Sequence, residues 1–250
     1  MSKIVWKSAM TPPAEVVATA WSPAVYDGKV SVPGVRLIPV ATNEIKVPDP
    51  KIARSTSRAG MFLTSVCEGA RDILKPYLDK DPYSVGIYCA VENGSSDYDS
   101  IKLIWNCEPE QFAETYKKKR NPKMYLKQLP NLAAAQMGIF LGIRGPMNVF
   151  NHSRLGAIQA LEQAEFDVEH GIVEAALVCS AFAITEDPLL ALRARKQAPH
   201  DTALAEGAAA VVMVRSGDRG TWSDLDKPVG TVRQYHGISQ PIVHIVQEGV

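Results

Sequence analysis

The sequence predicts an α/β protein, with a mainly parallel sheet and helices on both faces. Two observations carry that expectation. Val85–Val91 and Ala175–Ser180 are short continuous apolar runs, the first bounded by Pro82 and Asn93-Gly94. Such runs suit strands buried on both sides, an arrangement that crossover helices create. Between them lie longer segments with apolar residues at helical spacing, so strand and helix alternate along the chain. With 250 residues and 46% hydrophobic content, the chain is long enough for one sizeable core and is read as a single domain, 1–250.

Taken in order, Lys3–Ala9 reads as a first strand, and Lys29–Ile38 as a hairpin within a Pro- and Val-rich stretch. Ser55–Tyr77 is helical: Met61, Val66, Ala70, Ile73 and Leu74 make an apolar face, and Ser55 is a fair N-cap. Asn93–Ser96 is a loop. In the segment from Tyr98 to Trp105, Tyr98, Ile101 and Trp105 stand at i, i+3 and i+7 and share one helical face. Glu108–Lys119 continues as a second helix, ending in the basic run Lys117–Arg120.

The passage Leu129 to Gly171 reads as helix, turn, short strand, abrupt turn, helix. Leu132, Ala135 and Ile139 are expected to form the apolar side of the first helix, with Arg144-Gly145-Pro146 stopping it. Met147–Phe150 is a short strand. Leu155, Ile158, Leu161 and Val168 mark the second helix, which His170-Gly171 closes. Further on, Asp187–Lys196 reads as a helical excursion, Glu206–Val214 as a strand entered through small residues, and Gly230–Gly237 as a last strand. The tail Ile238–Val250 is left unassigned.

Composition narrows the function. Twenty-seven Lys and Arg balance 27 Asp and Glu, so no global field points to nucleic acid or an anionic membrane. No run of 18 apolar residues and no signal-like N-terminus occurs, so a cytoplasmic location is expected. Cys67, Cys89, Cys107 and Cys179 lie far apart in sequence without a C-x-x-C pair, which argues for free thiols, most of them buried, against a metal site. His152-Ser153 does not form a hydrolase elbow, because Asn151 and Leu155 stand where glycines are needed.

Arg154 falls where a strand turns into a helix N-terminus, a place that favours negative charge or a thiolate. The residues around it carry a resemblance. Gly142-Ile143-Arg144-Gly145-Pro146, Ala160-Leu161 and Gly171 resemble, in one register, the nucleophile region of the β-ketoacyl synthases, enzymes of the thiolase fold. Ala205-Glu206-Gly207-Ala208-Ala209 resembles that family's Gly-Glu-Gly-Ala-Ala entry to a strand, with Ala205 replacing the first glycine. The likeness runs from Ser55 to Ser239 and corresponds to the N-terminal half of a ketosynthase, a thiolase-like half-fold with a mainly parallel mixed sheet. In this register Arg154 occupies the position of the family's cysteine, and none of His152, His170, His200, His236 or His244 lies in a motif of its catalytic pair.

The resemblance implies a chain length factor, the non-catalytic second subunit of heterodimeric type II polyketide ketosynthases. Such a subunit is no enzyme on its own. Its expected partners are a catalytic ketosynthase and an acyl carrier protein, whose phosphopantetheine carries substrate, and the chain itself needs no cofactor. Tyr98, Ile101 and Trp105 then match the helix that closes the tunnel, or else form an ordinary core-facing side. Met147, Asn148, Val149 and Phe150 match the strand that pairs across the dimer. Arg154 either fills the vacated pocket, pairs with an acid, or is a relic. The Lys117–Arg120 run is a solvated helix end or an attractor of an acidic carrier protein. The alternatives are an equivalent subunit for aryl polyene or fatty-acyl chains, a free-standing acyl-binding module of thiolase-like half-fold, and a small cysteine-dependent enzyme.

Overall fold

The computed structural model describes residues 2–11, 36–94, 104–105, 107–119, 126–152, 154–185, 203–215 and 234–248. In chain order these form β1 (Ser2–Met10), β2 (Arg36–Ile38), α1 (Pro50–Ser55), α2 (Arg58–Cys67), α3 (Ala70–Lys80), β3 (Val85–Val91) and α4 (Phe112–Lys119). Then come α5 (Pro130–Leu141), β4 (Met147–Phe150), α6 (Gly156–Glu169), β5 (Ala175–Phe182), β6 (Ala203–Ala205), β7 (Gly207–Arg215), β8 (Gln234–Tyr235) and α7 (Gln240–Glu248).

The main sheet has the order β1-β7-β5-β3-β4. β3 runs parallel to β4 and to β5, while β7 is antiparallel to both β5 and β1. β7 alone is reversed, so the sheet is mixed and mainly parallel. A second, all-parallel sheet has the order β2-β6-β8.

Alternation along the strands builds two cores. Val85, Ile87, Cys89 and Val91 of β3 point to one face, where they meet Phe62, Leu63 and Val66 of α2 and Ala134 and Met137 of α5. Tyr88 and Ala90 point to the other, against Ala160, Leu161 and Ala164 of α6 and Ile242 and Val243 of α7. Both faces are covered, so every residue of β3 and of β5 is buried and both read as unbroken apolar runs.

Several expectations change. Ser55–Tyr77 is not one helix: α1, α2 and α3 are separate. Ser55 ends α1, and the cap of α2 is Ser57, whose hydroxyl accepts from Gly60 N–H at 3.2 Å. The α5 face is also different. Ala133, Ala134, Met137, Gly138 and Leu141 are buried, whereas Ile139 is 82% exposed. The helix is apolar on all sides, so periodicity could not choose its inward face. α5 stops at Gly142, which takes the left-handed conformation (φ 80°), three residues before the Gly145-Pro146 step. Gly145 has another reason to be glycine: a Cβ there would lie 2.2 Å from the Val85 carbonyl oxygen.

Most of the expected hairpin lies outside the described residues, and its end, Arg36–Ile38, pairs in parallel with β6. The first part of the expected last strand lies outside the described residues, Gln234–Tyr235 is strand, and the tail forms α7. The Asp187–Lys196 helix lies outside the described residues.

One carboxylate joins the two sheets. Glu206, between β6 and β7, has no solvent exposure. Its Oε1 accepts from Arg58 Nε at 2.7 Å and from Ile184 N–H at 3.0 Å. Its Oε2 accepts from Arg58 Nη2 at 2.6 Å and from Val40 N–H at 3.0 Å. Behind it, buried His236 places Nδ1 3.2 Å from the Glu206 carbonyl oxygen, where it donates. Burial lowers the His236 pKa from 6.5 to about 4. On the opposite face, Tyr88 donates to Asp167 Oδ2 at 2.5 Å and ties β3 to α6. Burial, then this bond, hold the phenol well above its ordinary pKa.

Glu206→Ala strands the Arg58 guanidinium and two amides, and is expected to lower unfolding free energy in urea by about 3–5 kcal/mol, the cost of breaking a buried pair. His236 gives a pH test. Below pH 6.5 the unfolded chain takes up a proton that the folded chain refuses until about pH 4. Stability therefore falls as pH drops through that window, by about 3 kcal/mol at most from this group. His236→Asn, which keeps a donor near the Nδ1 position, is expected to remove that part of the decline in urea titrations at stepped pH.

Candidate functional site

The strand-to-helix turn after β4 is the site that the sequence singles out. Among the described residues β4 lies at the edge of the main sheet and is hydrogen-bonded to β3 only. Met147 is exposed, and Asn148, Val149 and Phe150 are half-buried. The chain then turns through Asn151 and His152 into α6. Gly156 sits at the pivot: a Cβ there would lie 2.9 Å from Ile238 Cδ1 and 3.3 Å from the Phe150 carbonyl oxygen. A glycine lets the helix start directly against the strand.

Arg154 stands exposed at this helix N-terminus. Its backbone N–H and that of Leu155 both donate to His152 Nδ1, at 3.3 and 3.2 Å. Gly156 N–H donates to the His152 carbonyl at 2.7 Å. His152 thus closes the turn that leads into α6, an imidazole nitrogen accepting from backbone amides as Ser, Asp or Asn side chains do in such turns. To accept from both amides, the ring must be neutral with its proton on Nε2. This role was not read from the sequence, because His is not among the residues that signal such a turn. The only available cue was a polar side chain four residues before the first residue of α6.

Of the other candidates, Tyr98 and Ile101 lie outside the described residues. Trp105 is 85% exposed. The Lys117–Lys119 end of α4 is exposed, with Lys118 paired to Glu114 one turn back at 2.5 Å. Phe112 and Tyr116 stack on the same helix and are exposed as well.

The cysteines far apart in sequence converge in space. Cys89 and Cys179 are Cα partners on neighbouring parallel strands, and Cys67 packs in the same core, close enough for its thiol and that of Cys89 to interact with the Cys179 thiol. Burial pushes the Cys67 thiol up, and the interaction with Cys179 followed by burial does the same for Cys89. All three have no solvent exposure, so no substrate reaches them. Among the described residues no group of three His, Cys, Asp or Glu is placed to hold a metal ion. Nor, among them, is any helix long and apolar enough to cross a membrane.

At the carboxyl ends of β3 and β5, Arg58, Glu92, Asn93 and Thr185 line a cavity of about 30 Å³, room for a water. Burial pushes the Glu92 carboxyl up.

No family model and no curated protein matches the sequence. Solved structures do. A ketosynthase (ApeO) in complex with its chain length factor (ApeC) from Xenorhabdus doucetiae matches 87% of this chain over 58% of its own, at TM-score 0.60 and 13% identity. The ishigamide ketosynthase/chain length factor matches 86% over 62%, at TM-score 0.60 and 17% identity. A type II polyketide synthase acyl carrier protein in complex with its ketosynthase (AntDE:AntF) matches 71% over 53%, at TM-score 0.58 and 18% identity. The chain has the ketosynthase fold. It spans about half to three fifths of the length of these structures. Within the ketosynthase fold as it occurs here, the β4–α6 turn carries an arginine and a histidine that closes it, and three of the four thiols are sealed in the core while Cys107 is partly exposed.

His152→Ala removes an acceptor for two turn amides and is expected to cost about 1 kcal/mol, the typical net worth of a hydrogen bond. His152→Asn, with a side-chain oxygen, is expected to recover most of it. Paired thermal melts read both.

Proposed function

We propose that this chain is a chain length factor, the non-catalytic partner of a β-ketoacyl synthase in type II aromatic polyketide biosynthesis. The observation that carries this reading is the exposed Arg154 at the turn where the family resemblance expects a nucleophilic cysteine, in a chain of ketosynthase fold. A guanidinium cannot form the thioester that condensation requires. Thioester formation, malonyl decarboxylation and C–C bond formation therefore belong to the partner's cysteine and histidines. Substrate arrives on the phosphopantetheine of an acyl carrier protein, and the complex works in the cytoplasm.

This chain's contribution is steric. Its β4 edge takes the partner's strand, and the segment carrying Tyr98, Ile101 and Trp105 closes the tunnel, so that bulk there limits further elongation by overpacking. The large exposure of Trp105 supports the reading, because a single chain leaves uncovered what a partner would bury. The Lys117–Arg120 run adds attraction for an acidic carrier protein.

The test is expression of the chain alone and beside a type II ketosynthase subunit, followed by size-exclusion chromatography with mass determination. The expected result is aggregation alone and a 1:1 complex on co-expression. A well-behaved lone monomer that ignores ketosynthase subunits would overturn the reading in favour of a free-standing acyl-binding module.

A further inference from the structure

The carboxyl ends of β3 and β5 meet where the chain parts in two directions across the sheet. The two strands are parallel neighbours. From β3 the chain goes on to β4, on one side, while the next main-sheet strand after β5 is β7, on the other. Exits that diverge in this way leave a crevice outside the strand ends, and open α/β sheets bind ligands there. The cavity of about 30 Å³ lies in this crevice. Ala181 and Ala183 form its apolar wall and belong to the core that α2 covers, so it is on the α2 face of the sheet. A single water needs about 10–15 Å³, so a small head group fits as well as a water.

The polar lining is held in place, and part of it has no partner. Arg58 is anchored through Nε and Nη2 by Glu206 and the Val40 carbonyl, which leaves Nη1 without a hydrogen bond. The loop after β3 is pinned where Gly94 N–H donates to the Gln128 carbonyl at 3.1 Å, and a Cβ on Gly94 would run into the Lys127 carbonyl oxygen. Among the described residues the side chains of Glu92, Asn93 and Thr185 make no hydrogen bond. Burial is what raises the Glu92 pKa, as for a carboxyl that no donor reaches.

Charge sets the class of ligand. An anion in the cavity meets Glu92, and the Arg58 charge that would offset it is already matched by Glu206. A cation meets the guanidinium of Arg58, which lines the same space. A neutral group with an N–H donor beside a carbonyl acceptor serves both sides at once, and its rivals leave a polar group unpaired. We infer that this crevice is a binding site for a primary amide group carried at the end of a small molecule. Its N–H goes to Glu92, and its carbonyl accepts from Arg58 and Thr185. The site is independent of the chain length factor reading.

Acetamide, acetate and acetamidinium are near-isosteric probes, neutral, anionic and cationic. Saturation-transfer NMR on the full chain, alone or in the co-expressed complex, compares them at neutral pH. Acetamide is expected to bind with a Kd on the order of 1–10 mM, as suits so few atoms, and each ion about tenfold more weakly. Thr185→Val is expected to weaken acetamide about fivefold, one hydrogen bond lost. Glu92→Gln removes the charge that excludes acetate and is expected to raise acetate binding about tenfold. Melting temperatures matched to wild type show that each variant is folded, and Thr185→Val carries the test where Glu92→Gln is not. Acetate that binds wild type as well as acetamide does overturns the inference. So does acetamide binding that neither variant changes, and so does the absence of binding by all three probes. None of these outcomes touches the 1:1 complex, which chromatography reads separately.

Discussion

The Glu206 carboxylate is the interaction on which the rest of the structure depends. It accepts four hydrogen bonds with no water in reach, from Val40, Ile184 and twice from Arg58. These donors come from the segment after β2, the exit of β5 and the start of α2. A carboxylate is costly to bury unless each oxygen is satisfied and a cation is beside it. Small neighbours make the fit possible. Ala205 is fully buried, and a Cβ at Gly207 would lie 2.9 Å from His236 Nδ1. The segment after β2, the first long helix and the exit of β5 are therefore held together by a single side chain, and the C-terminal segment by the carbonyl of the same residue.

With that end fixed, helices cover both faces of the sheet and leave two edges that differ in character. β1 is nine residues long and places Lys3 and Lys7 in solvent, a common guard against unwanted strand pairing. β4 is four residues long, has no charge within it and lies between two grooves. Its charges are displaced to Arg144 and Arg154 at either end. The two edges thus differ in where their charged residues fall.

Strands buried on both faces were the most legible part of the fold, because full burial selects runs that are almost wholly apolar: β3 appears at its expected bounds and β5 extends two residues further, while the partly exposed β4 was bounded by the Gly145-Pro146 step before it. Helix faces were less legible. α5 is apolar all round, so Ile139 and Met137 are indistinguishable by period although one is exposed and the other buried. The three helices between Pro50 and Lys80 merged into one reading because the breaks at Thr56-Ser57 and Glu68-Gly69 contain no proline. At the site, the strand and the turn were readable from Gly145-Pro146 and the spacing that follows. The turn closure by His152 was not, since it depends on a ring nitrogen meeting two amides. The Arg58–Glu206 pair joins residues 148 positions apart, a separation over which no local pattern carries information.

The turn after β4 keeps a demanding geometry while carrying residues unsuited to a nucleophile. Gly156 still allows α6 to begin against the Phe150 carbonyl oxygen and Ile238. Two amides at the helix start are satisfied by His152 from within the chain, so they are not offered to a bound anion. A guanidinium in the first turn opposes the helix dipole, at about 0.3–1 kcal/mol when exposed. Neither residue improves the turn as a reaction centre, and Arg154 does not improve it as a helix start. Among the described residues Arg144 and Arg154, on either side of β4, are both exposed. On the proposed reading, a turn kept in shape but without a nucleophile serves contact with a partner rather than reaction with a substrate.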